Sequence, residues 1–514
     1  MNTIVWSIAG SDSSGHAGIQ ADLKTFHGLG VHGCTVITAV TAQNTQQLAD
    51  MQFVSMTPQI ACMQTDLMPR AIKIGMLGHM ASILELEKFL TIYNGMVILD
   101  PVLVTTAGGF LFATASEEYI AALKKIFQYV DVLTPNISEA EMILQYKITS
   151  HDAIVEAAHA LLALGAKSVL IKGGHHVADF YSQDYWTNGQ DAFWLSSERL
   201  IGLNFGGTGC TLSAALAASC ALGYDIPDSL VIAKMFVNQA MRLGSAATKK
   251  AILQQRSFPD DERDLPYLSD KPLAMTPYVF PDCEQTLGLY PVVDSSAWVR
   301  RLLSWGIKTI QLRIKDKTGE ALISEIKTAV QIAKEYHARL FINDHWESAI
   351  ACGAYGVHLG QEDLKCAVLS QLQSAGLRLG VSTHNYQELS RAHSLHPSYI
   401  AFGPIYATNS KTMACAPQGI EKLKHWRRIV RYPLVAIGGI NENNIRAILE
   451  TGVDGVALIA AITKAEDPER AVQRLLDEMS APLSPPTIFV GGGWGEEGTN
   501  TPPHHPTQST RGYQ

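Results

Sequence analysis

Residues 339–364 read RLFINDHWESAIACGAYGVHLGQEDL and contain one strand, a helical spacer and a second strand. RLFIND (339–344) and GVHLG (356–360) are short and nearly continuous apolar runs, which is typical of buried parallel strands. Polar side chains follow each run, at the end of the strand where βα units place functional groups. This stretch therefore predicts a βα repeat whose loops carry chemistry.

The same alternation extends in both directions from this stretch. Eight strands with helical spacers fit in roughly 195 residues, which predicts a compact (β/α)8 TIM barrel over 286–480. An open eight-stranded sheet is the competing interpretation, but the regular spacing favours closure. The other predicted strands are LGLYPVVD (287–294), TIQLRI (309–314), RLGVST (378–383), YIAFGPI (399–405), PLVAIGG (433–439) and GVALIAAI (455–462).

The first half of the chain, 1–247, also alternates strands with helices, which predicts an open α/β sheet. DFYS and AFWLSSERL, on either side of WTNGQD, predict a hairpin at the edge of that sheet. The proline-rich segment 248–285 is interpreted as a linker, and the Pro, Gly and Thr-rich segment 481–514 as a disordered tail. The remaining predicted strands are 3–10, 35–43, 71–77, 96–102, 131–136 and 167–174.

Composition excludes several classes of protein. The chain has 514 residues, of which 47% are hydrophobic and 17% charged, as expected for folded domains. A net charge of −8 argues against a general binder of nucleic acid or anionic membranes. The cysteines form no CxxC pair, and no apolar run approaches the ~18 residues of a membrane span. We therefore expect a cytoplasmic protein in a reducing compartment, with no nucleic-acid or membrane partner.

Two glycine-rich turns in the first half are candidate anion sites. AGSDSSGHAGIQ follows the first strand, and GGTGC (206–210) precedes an Ala-rich helix whose first amides would converge on one point. A tight turn explains the first motif equally well. Cys210 lies at that helix start, where the pKa of a thiol falls, although a buried small residue is the alternative interpretation.

The motifs of the first half, taken in their order along the chain, resemble those of the hydroxymethylpyrimidine/phosphomethylpyrimidine kinases of thiamine synthesis, within the ribokinase-like superfamily. They are AGSDSSGHAGIQADLKTF, VITAVTAQNT, KIGML, LDPVLV, LTPNISEAE, IKGGHH and GGTGCTLSAA. The resemblance covers residues 3 to about 245 and implies a three-layer αβα fold. It also implies two successive ATP-dependent phosphorylations, first of the hydroxymethyl group and then of the resulting phosphate.

The resemblance assigns roles to individual residues. The pyrimidine would be contacted by Asp12, Gln43 and Met76, and the transferring phosphoryl group by Gly207, Gly209 and Cys210. Mg²⁺ and ATP would be held by Asn136, Glu139 and Lys172. The chain departs from the family at His16, which is usually glycine, and at Gly206, which is usually histidine. His16 is interpreted as a tolerated substitution, although it could compensate for the missing imidazole.

In the second half, the strand ends carry cations, carboxylates, hydroxyls and a late glycine pair. Asp344 and Asp363 follow adjacent strands and suit one Mg²⁺, although either alone would more often be a helix cap. Arg313 and Lys315 alternate along the second strand and would therefore face the same side, where they could hold a diphosphate. Gly439 and the preceding Gly438 match the phosphate site that barrels build after their seventh strand.

These loops resemble thiamine-phosphate synthase over about 287–475, through QLRIK, FINDHWESAIACGAYGVHLGQEDL, LGVSTHN, GPIYATNSKTMACAPQG and AIGGI. That family displaces pyrophosphate from the pyrimidine diphosphate through a pyrimidine-methyl cation, which the thiazole nitrogen captures. The resemblance implies that the pyrimidine diphosphate is bound by Gln311, Arg313, Lys315, Asn343, Ser382 and Lys411. It implies that Mg²⁺ is bound by Asp344 and Asp363. The thiazole phosphate would be bound by Thr408, Ser410, Gly438, Gly439, Ile459 and Ala460. The departures are His345 for arginine, Ala460 for serine, and Ser410 for threonine.

The two halves fit one pathway, because the product of the first would be a substrate of the second. We expect a fused kinase and synthase that uses Mg²⁺ and ATP, acts on small molecules and forms a homo-oligomer. In the alternatives, only the synthase half is fully active, and the first half is a salvage or pyridoxine-type kinase or a non-catalytic binding module.

Overall fold

Continuous apolar runs in the first half form a mixed sheet with helices on both faces. The computed structural model describes residues 3–103, 116–174, 180–200, 204–246, 250–273, 278–283, 286–407 and 416–482. Among these residues the first sheet has ten strands in the order β10-β9-β8-β7-β6-β5-β4-β1-β2-β3. The strands are β1 (Ile4–Asp12), β2 (His32–Gln43), β3 (Leu48–Phe53), β4 (Ala71–Ile74), β5 (Met96–Leu99), β6 (Val132–Leu133), β7 (Val169–Ile171), β8 (Tyr181–Thr187), β9 (Ala192–Glu198) and β10 (Tyr267–Ser269).

Alternate residues of the parallel strands face two separate cores. Val5 packs with the helices on one side of the sheet, whereas Trp6 packs with those on the other. This arrangement confirms the predicted ribokinase-like three-layer αβα fold. The helices of this half are α1 (Gly18–Gly28), α2 (Thr57–Met63), α3 (Met80–Leu90), α4 (Glu117–Ile126), α5 (Ile137–Leu144), α6 (His151–Ala163), α7 (Thr208–Ala221) and α8 (Ile226–Arg242).

The second half closes into a barrel of eight parallel strands, as predicted. The first and last strands pair directly, with Gly288 opposite Gly455 and Pro291 opposite Leu458. The strands are β11 (Gly288–Val293), β12 (Thr309–Leu312), β13 (Arg339–Asn343), β14 (Gly356–Leu359), β15 (Arg378–Thr383), β16 (Tyr399–Phe402), β17 (Leu434–Ile437) and β18 (Gly455–Leu458).

Helices surround this barrel and bury their apolar faces against its strands. They are α9 (Ser296–Ser304), α10 (Gly319–Glu335), α11 (Trp346–Cys352), α12 (Gln361–Cys366), α13 (Leu369–Ser374), α14 (Tyr386–His393), α15 (Gly419–Ile429), α16 (Ile445–Leu449), α17 (Ala460–Thr463) and α18 (Pro468–Ser480). In the part of the chain that is described, no helix is both long enough and apolar enough to cross a bilayer.

The structure corrects three details of the sequence interpretation. The β8–β9 hairpin is antiparallel as predicted, but it is not at the edge, because β10 pairs with β9. The segment 455–462 is not all strand, since α17 begins at Ala460. Arg313 and Lys315 lie beyond the end of β12, so strand alternation does not set their directions.

The segment predicted as a linker contributes β10 and also contacts the barrel. The Ser390 and Ser394 hydroxyls of α14 donate to the carbonyl oxygens of Pro266 and Leu268, each at 2.8 Å. The backbone N–H of Gln387 donates to the Asp228 carboxylate of α8 at 2.9 Å. Buried contacts of this kind restrict how the first half and the barrel can move against each other.

Candidate active sites

A cavity of about 680 Å³ opens where the parallel strands of the first sheet end. Its walls come from the turn after β1, the end of β2, the loops after β5, β6 and β7, and the start of α7. The structure brings all the residues predicted for this half together, since the cavity is lined by Asp12, Gln43, Met76, Asn136, Glu139, Lys172, Gly207, Gly209 and Cys210.

Glycines allow the turn before α7 to approach its neighbours closely. Gly207 is the N-cap of α7 and has φ 80°, a left-handed conformation that favours glycine. A Cβ at this position would lie 1.8 Å from the carbonyl oxygen of His16, so any side chain would force the two loops apart. A Cβ on Gly209 would lie 3.1 Å from Nζ of Lys172. The free amides of α7 and a lysine ammonium therefore lie at the same side of the cavity.

Buried ion pairs surround the start of α7. Nζ of Lys172 lies 2.6 Å from Oδ1 of Asp100, and the hydroxyl of Ser213 donates to the other carboxylate oxygen at 3.2 Å. Lys73 and Asp22 pair at 2.8 Å with both side chains fully buried. Sequence reasoning missed Asp22, Lys73 and Asp100. A lysine inside the apolar strand AIKIG was the signal, since an unpaired buried lysine is costly.

The Cys210 thiol does not have the lowered pKa expected for the start of a helix. Burial raises its pKa, although the nearby Lys73 ammonium acts in the opposite direction. The expectation was wrong because desolvation of a thiolate outweighs the helix dipole and the lysine charge at this position. The thiol therefore fits a hydrogen-bonding or packing group better than an ionised base.

Three of the predicted polar residues also hold the local backbone. Asn136 and Glu139 form a reciprocal capping box at α5, with both hydrogen bonds at 2.9 Å. Burial raises the pKa of Glu139 to about 7, against the opposing effect of Lys172. Asp12 accepts hydrogen bonds from the backbone N–H groups of Ser14 and Ala17, each at 2.9 Å, and so shapes the loop after β1.

Gln43 and Met76, two of the three residues predicted to contact a pyrimidine, line the cavity on the β1–β2 side. A Cβ at Gly10 would lie 2.3 Å from the methyl carbon of Met76, so this glycine lets the thioether cover the strand end. Gln43 is tied through its backbone to the Ser13 hydroxyl at 2.8 Å.

His16 and Gly206, the two positions at which the first half departs from the kinase motifs, lie against each other. A Cβ at Gly206 would lie 3.6 Å from Cβ of His16 and 3.9 Å from its ring. Nδ1 of His16 contacts the carbonyl oxygen of Ser14 at 3.1 Å, and Nε2 is buried without a hydrogen-bond partner in the part of the chain that the structure describes. The His16 side chain thus occupies the space beside Gly206.

In the barrel, the predicted residues that are described lie at the carboxyl ends of the strands. Gln311 is buried on β12, Ser382 is half-buried on β15, and Arg313 is half-buried beyond β12. His345, one of the departures, contacts the carbonyl oxygen of Ile314 at 3.2 Å. Thr408, Ser410 and Lys411 lie outside the described residues.

Two carboxylates and a lysine meet at this end of the barrel. The Lys315 ammonium donates to Asp344, and the carboxyl groups of Asp344 and Asp363 lie close enough to interact directly. Burial would raise the pKa of Asp344, but Lys315 lowers it overall. Burial and the Asp344 charge raise the pKa of Asp363, which also accepts the Gly360 N–H at 3.3 Å as a helix cap. Close hard oxygen ligands of this kind fit a divalent cation.

The amide of Asn343 lies beside this pair. Its Nδ2 donates to Oδ1 of Asp344 at 2.8 Å, while its Oδ1 is buried without a partner among the described residues. Oε1 of Gln361 is likewise a buried acceptor to which no described residue donates. Sequence reasoning missed Gln361 as a positioning group, although its Nε2 donates to the carbonyl oxygen of Ser382 at 2.7 Å.

The glycines after β17 are required by close packing. Gly438 and Gly439 have φ 102° and 67°, and a Cβ on either would lie within 2.6 Å of the loop after β16. Ile459 and Ala460 follow β18, which pairs with β17, so all four residues lie at the same end of the barrel.

Comparisons with known proteins agree with this division. Residues 12–254 match the family model of phosphomethylpyrimidine kinase, and residues 289–462 match that of thiamine monophosphate synthase. Thiamine-phosphate synthase of Photorhabdus laumondii is 54% identical over 198 residues, which are 38% of this chain and 92% of that protein.

Solved structures match the first half. Phosphomethylpyrimidine kinase of Clostridium difficile is 36% identical, with a TM-score of 0.41, over 46% of this chain and 99% of that one. Pyridoxal kinase of Staphylococcus aureus, solved with AMP-PCP and pyridoxal, is 29% identical, with a TM-score of 0.46, over 50% of this chain and 95% of that one. The chain therefore belongs to the thiamine-phosphate synthase family through its barrel, and it carries a phosphomethylpyrimidine kinase domain in front of that barrel.

Proposed function

We propose that the first cavity binds hydroxymethylpyrimidine and Mg-ATP and phosphorylates the pyrimidine twice, and that the barrel joins the resulting diphosphate to thiazole phosphate. The observation that supports this proposal is that the described members of each predicted residue set converge on one end of their own sheet. Thiamine phosphate and pyrophosphate are the final products.

In the kinase cavity, Gln43 and Met76 hold the pyrimidine ring by hydrogen bonding and apolar contact. The first amides of α7 and the Lys172 ammonium bind the phosphoryl group during transfer. Phosphoryl transfer depends on positioning and charge neutralisation more than on covalent chemistry, so a neutral Cys210 is compatible with this role.

In the barrel, Gln311, Arg313, Lys315, Asn343 and Lys411 grip the pyrimidine diphosphate. The adjacent carboxyl groups of Asp344 and Asp363 fit Mg²⁺, which when bound stabilises the charge of the leaving diphosphate. Lys315 already lies against Asp344 and can turn toward the diphosphate, because its side chain is 52% exposed.

The thiazole phosphate binds on the opposite side of the barrel mouth. Gly438 and Gly439 after β17 and Ile459 and Ala460 after β18 offer backbone amides, and Thr408 and Ser410 offer hydroxyls. Backbone amides can bind phosphate without the serine hydroxyl that Ala460 lacks.

The test is a coupled assay with the full-length protein. Hydroxymethylpyrimidine, Mg-ATP and thiazole phosphate should give thiamine phosphate, with two ADP formed for each product molecule. Pyridoxal replaces the pyrimidine in a parallel reaction. Product formed only when pyrimidine diphosphate is supplied, or ADP formed only with pyridoxal, would overturn the proposal for the first half.

A further inference from the structure

Five polar side chains from five different strands form one hydrogen-bonded chain through the inside of the barrel. Nε2 of Gln311 donates to the Tyr290 hydroxyl at 3.5 Å, and that hydroxyl lies 2.8 Å from the Tyr399 hydroxyl. The Tyr399 hydroxyl lies 2.7 Å from Nδ1 of His358, and Nε2 of His358 lies 2.8 Å from the Ser382 hydroxyl. We call these residues the barrel chain.

The surroundings of the barrel chain are apolar. Tyr290 and Tyr399 are 1% and 0% exposed, and the ring of Phe341 packs against both. Without water, a hydroxyl or imidazole in this core is costly unless it is hydrogen-bonded. Burial also raises the pKa of both tyrosines, so both hydroxyls keep their protons. The hydroxyl and imidazole hydrogens of the barrel chain can therefore adopt few arrangements.

The hydroxyl and imidazole groups of the barrel chain are held in place in either direction of donation. A hydroxyl oxygen can accept one hydrogen bond and donate another, so the contacts among Tyr290, Tyr399 and His358 are satisfied both ways. In both cases Nε2 of the imidazole is hydrogen-bonded to the Ser382 hydroxyl and fixes its position at the barrel mouth.

We propose that Tyr290, Tyr399 and His358 are positioning residues that hold the Ser382 hydroxyl in place to contact the leaving diphosphate. This inference rests on the proposed function of the barrel and adds buried residues that act through Ser382. It also couples Gln311 and Ser382, which lie on different strands of the mouth, through one hydrogen-bond network.

The test measures synthase kinetics of full-length variants with pyrimidine diphosphate and thiazole phosphate supplied. Tyr399→Phe removes the hydroxyl that is hydrogen-bonded to Nδ1 of His358, and we expect kcat to fall by about 10-fold to 100-fold, as for other outer positioning groups, with a smaller change in KM. In a Ser382→Ala background, the same Tyr399→Phe change should have less than about a twofold effect, because coupled residues are not additive.

Two controls separate positioning from structure. Tyr355→Phe removes a tyrosine hydroxyl just before β14, at the other end of the barrel, and should leave synthase kcat unchanged. The circular dichroism spectrum and the thermal transition of each variant report whether the barrel is folded. If Tyr399→Phe does not fold, Tyr290→Phe tests the next link with the same double-variant design.

The outcomes are distinct. Unchanged kcat in folded Tyr399→Phe, or effects of Tyr399→Phe and Ser382→Ala that multiply independently, would overturn the positioning role. Absence of synthase activity in the wild-type protein would instead overturn the proposed function of the barrel, whatever the variants do.

Discussion

Around the start of α7, two lysines are each paired with an aspartate inside the protein. Lys73 and Asp22 are fully buried, and Lys172 and Asp100 are nearly so. At the barrel mouth, by contrast, Lys315 is 52% exposed, and buried hydroxyl and imidazole groups form a hydrogen-bonded chain. The charged groups of the first cavity are thus buried in the folded core, whereas the charged lysine at the barrel mouth is partly exposed to solvent. Changes in the first site should therefore alter stability as well as activity, and changes in the second mainly activity.

The largest expected effect is on stability. Lys73→Met leaves Asp22 buried without its cation, and we expect the free energy of unfolding of the first half to fall by about 3–5 kcal/mol. Chemical denaturation followed by tryptophan fluorescence measures this loss. Adding Asp22→Asn should restore most of it, and Lys88→Met on the exposed surface of α3 is the matched control. A fall no larger than that of Lys88→Met would show that the buried pair is not a structural element.

A variant of the second lysine should separate the two activities. Lys172→Ala removes an ammonium beside the α7 amides, and we expect the kinase kcat to fall by about 10²–10³-fold, as for other preorganised donors. Synthase kcat with supplied pyrimidine diphosphate should not change. Equal loss of both activities would point to unfolding, which the thermal transition of the variant would reveal.

At the barrel mouth the converse is expected. Asp363→Asn should lower synthase activity on the order of 100-fold, by analogy with other metal-site groups, without loss of stability, because it removes repulsion from Asp344. Kinase activity should be unaffected. Glu362→Gln, on the exposed neighbour, is the matched control, and a comparable loss in that variant would argue against a specific role for Asp363.

The smallest effect concerns the carboxylate that joins the two halves. Burial raises the pKa of Asp228 to about 6, above its ordinary value near 3.8, so the folded state binds the proton more tightly than the unfolded state. Its ionisation therefore lowers stability progressively as the pH rises from about 4 to about 6, and the loss persists above that range.

Asp228→Asn keeps an acceptor for the Gln387 N–H without the charge. The variant should be more stable than the wild type by about 1–3 kcal/mol at pH 8, and the difference should vanish near pH 4. Urea unfolding at both pH values measures this. A pH-independent difference for Asp228→Asn would contradict the assigned cause.

The sequence predicted both folds and the ends of the sheets where the sites lie, because strand runs and glycine turns are local signals. The features that the sequence did not predict have physical reasons. β10 has only three residues in a proline-rich segment, which is too short for an alternation of apolar and polar residues to be detected. The Lys73–Asp22 pair joins residues that are distant in sequence, and the barrel chain depends on the angular positions of five strands after closure. The lowered pKa expected for Cys210 failed because burial cannot be read from a turn motif.

The most direct test of two separate sites acting in series is a mixing experiment. Lys172→Ala and Asp363→Asn proteins are each incubated alone with hydroxymethylpyrimidine, Mg-ATP and thiazole phosphate, and then combined. Each alone should give little thiamine phosphate, and the mixture should restore it, because the second variant makes the pyrimidine diphosphate that the first consumes. If the mixture stays as inactive as the separate variants while both proteins are folded, the assignment of one activity to each half is contradicted.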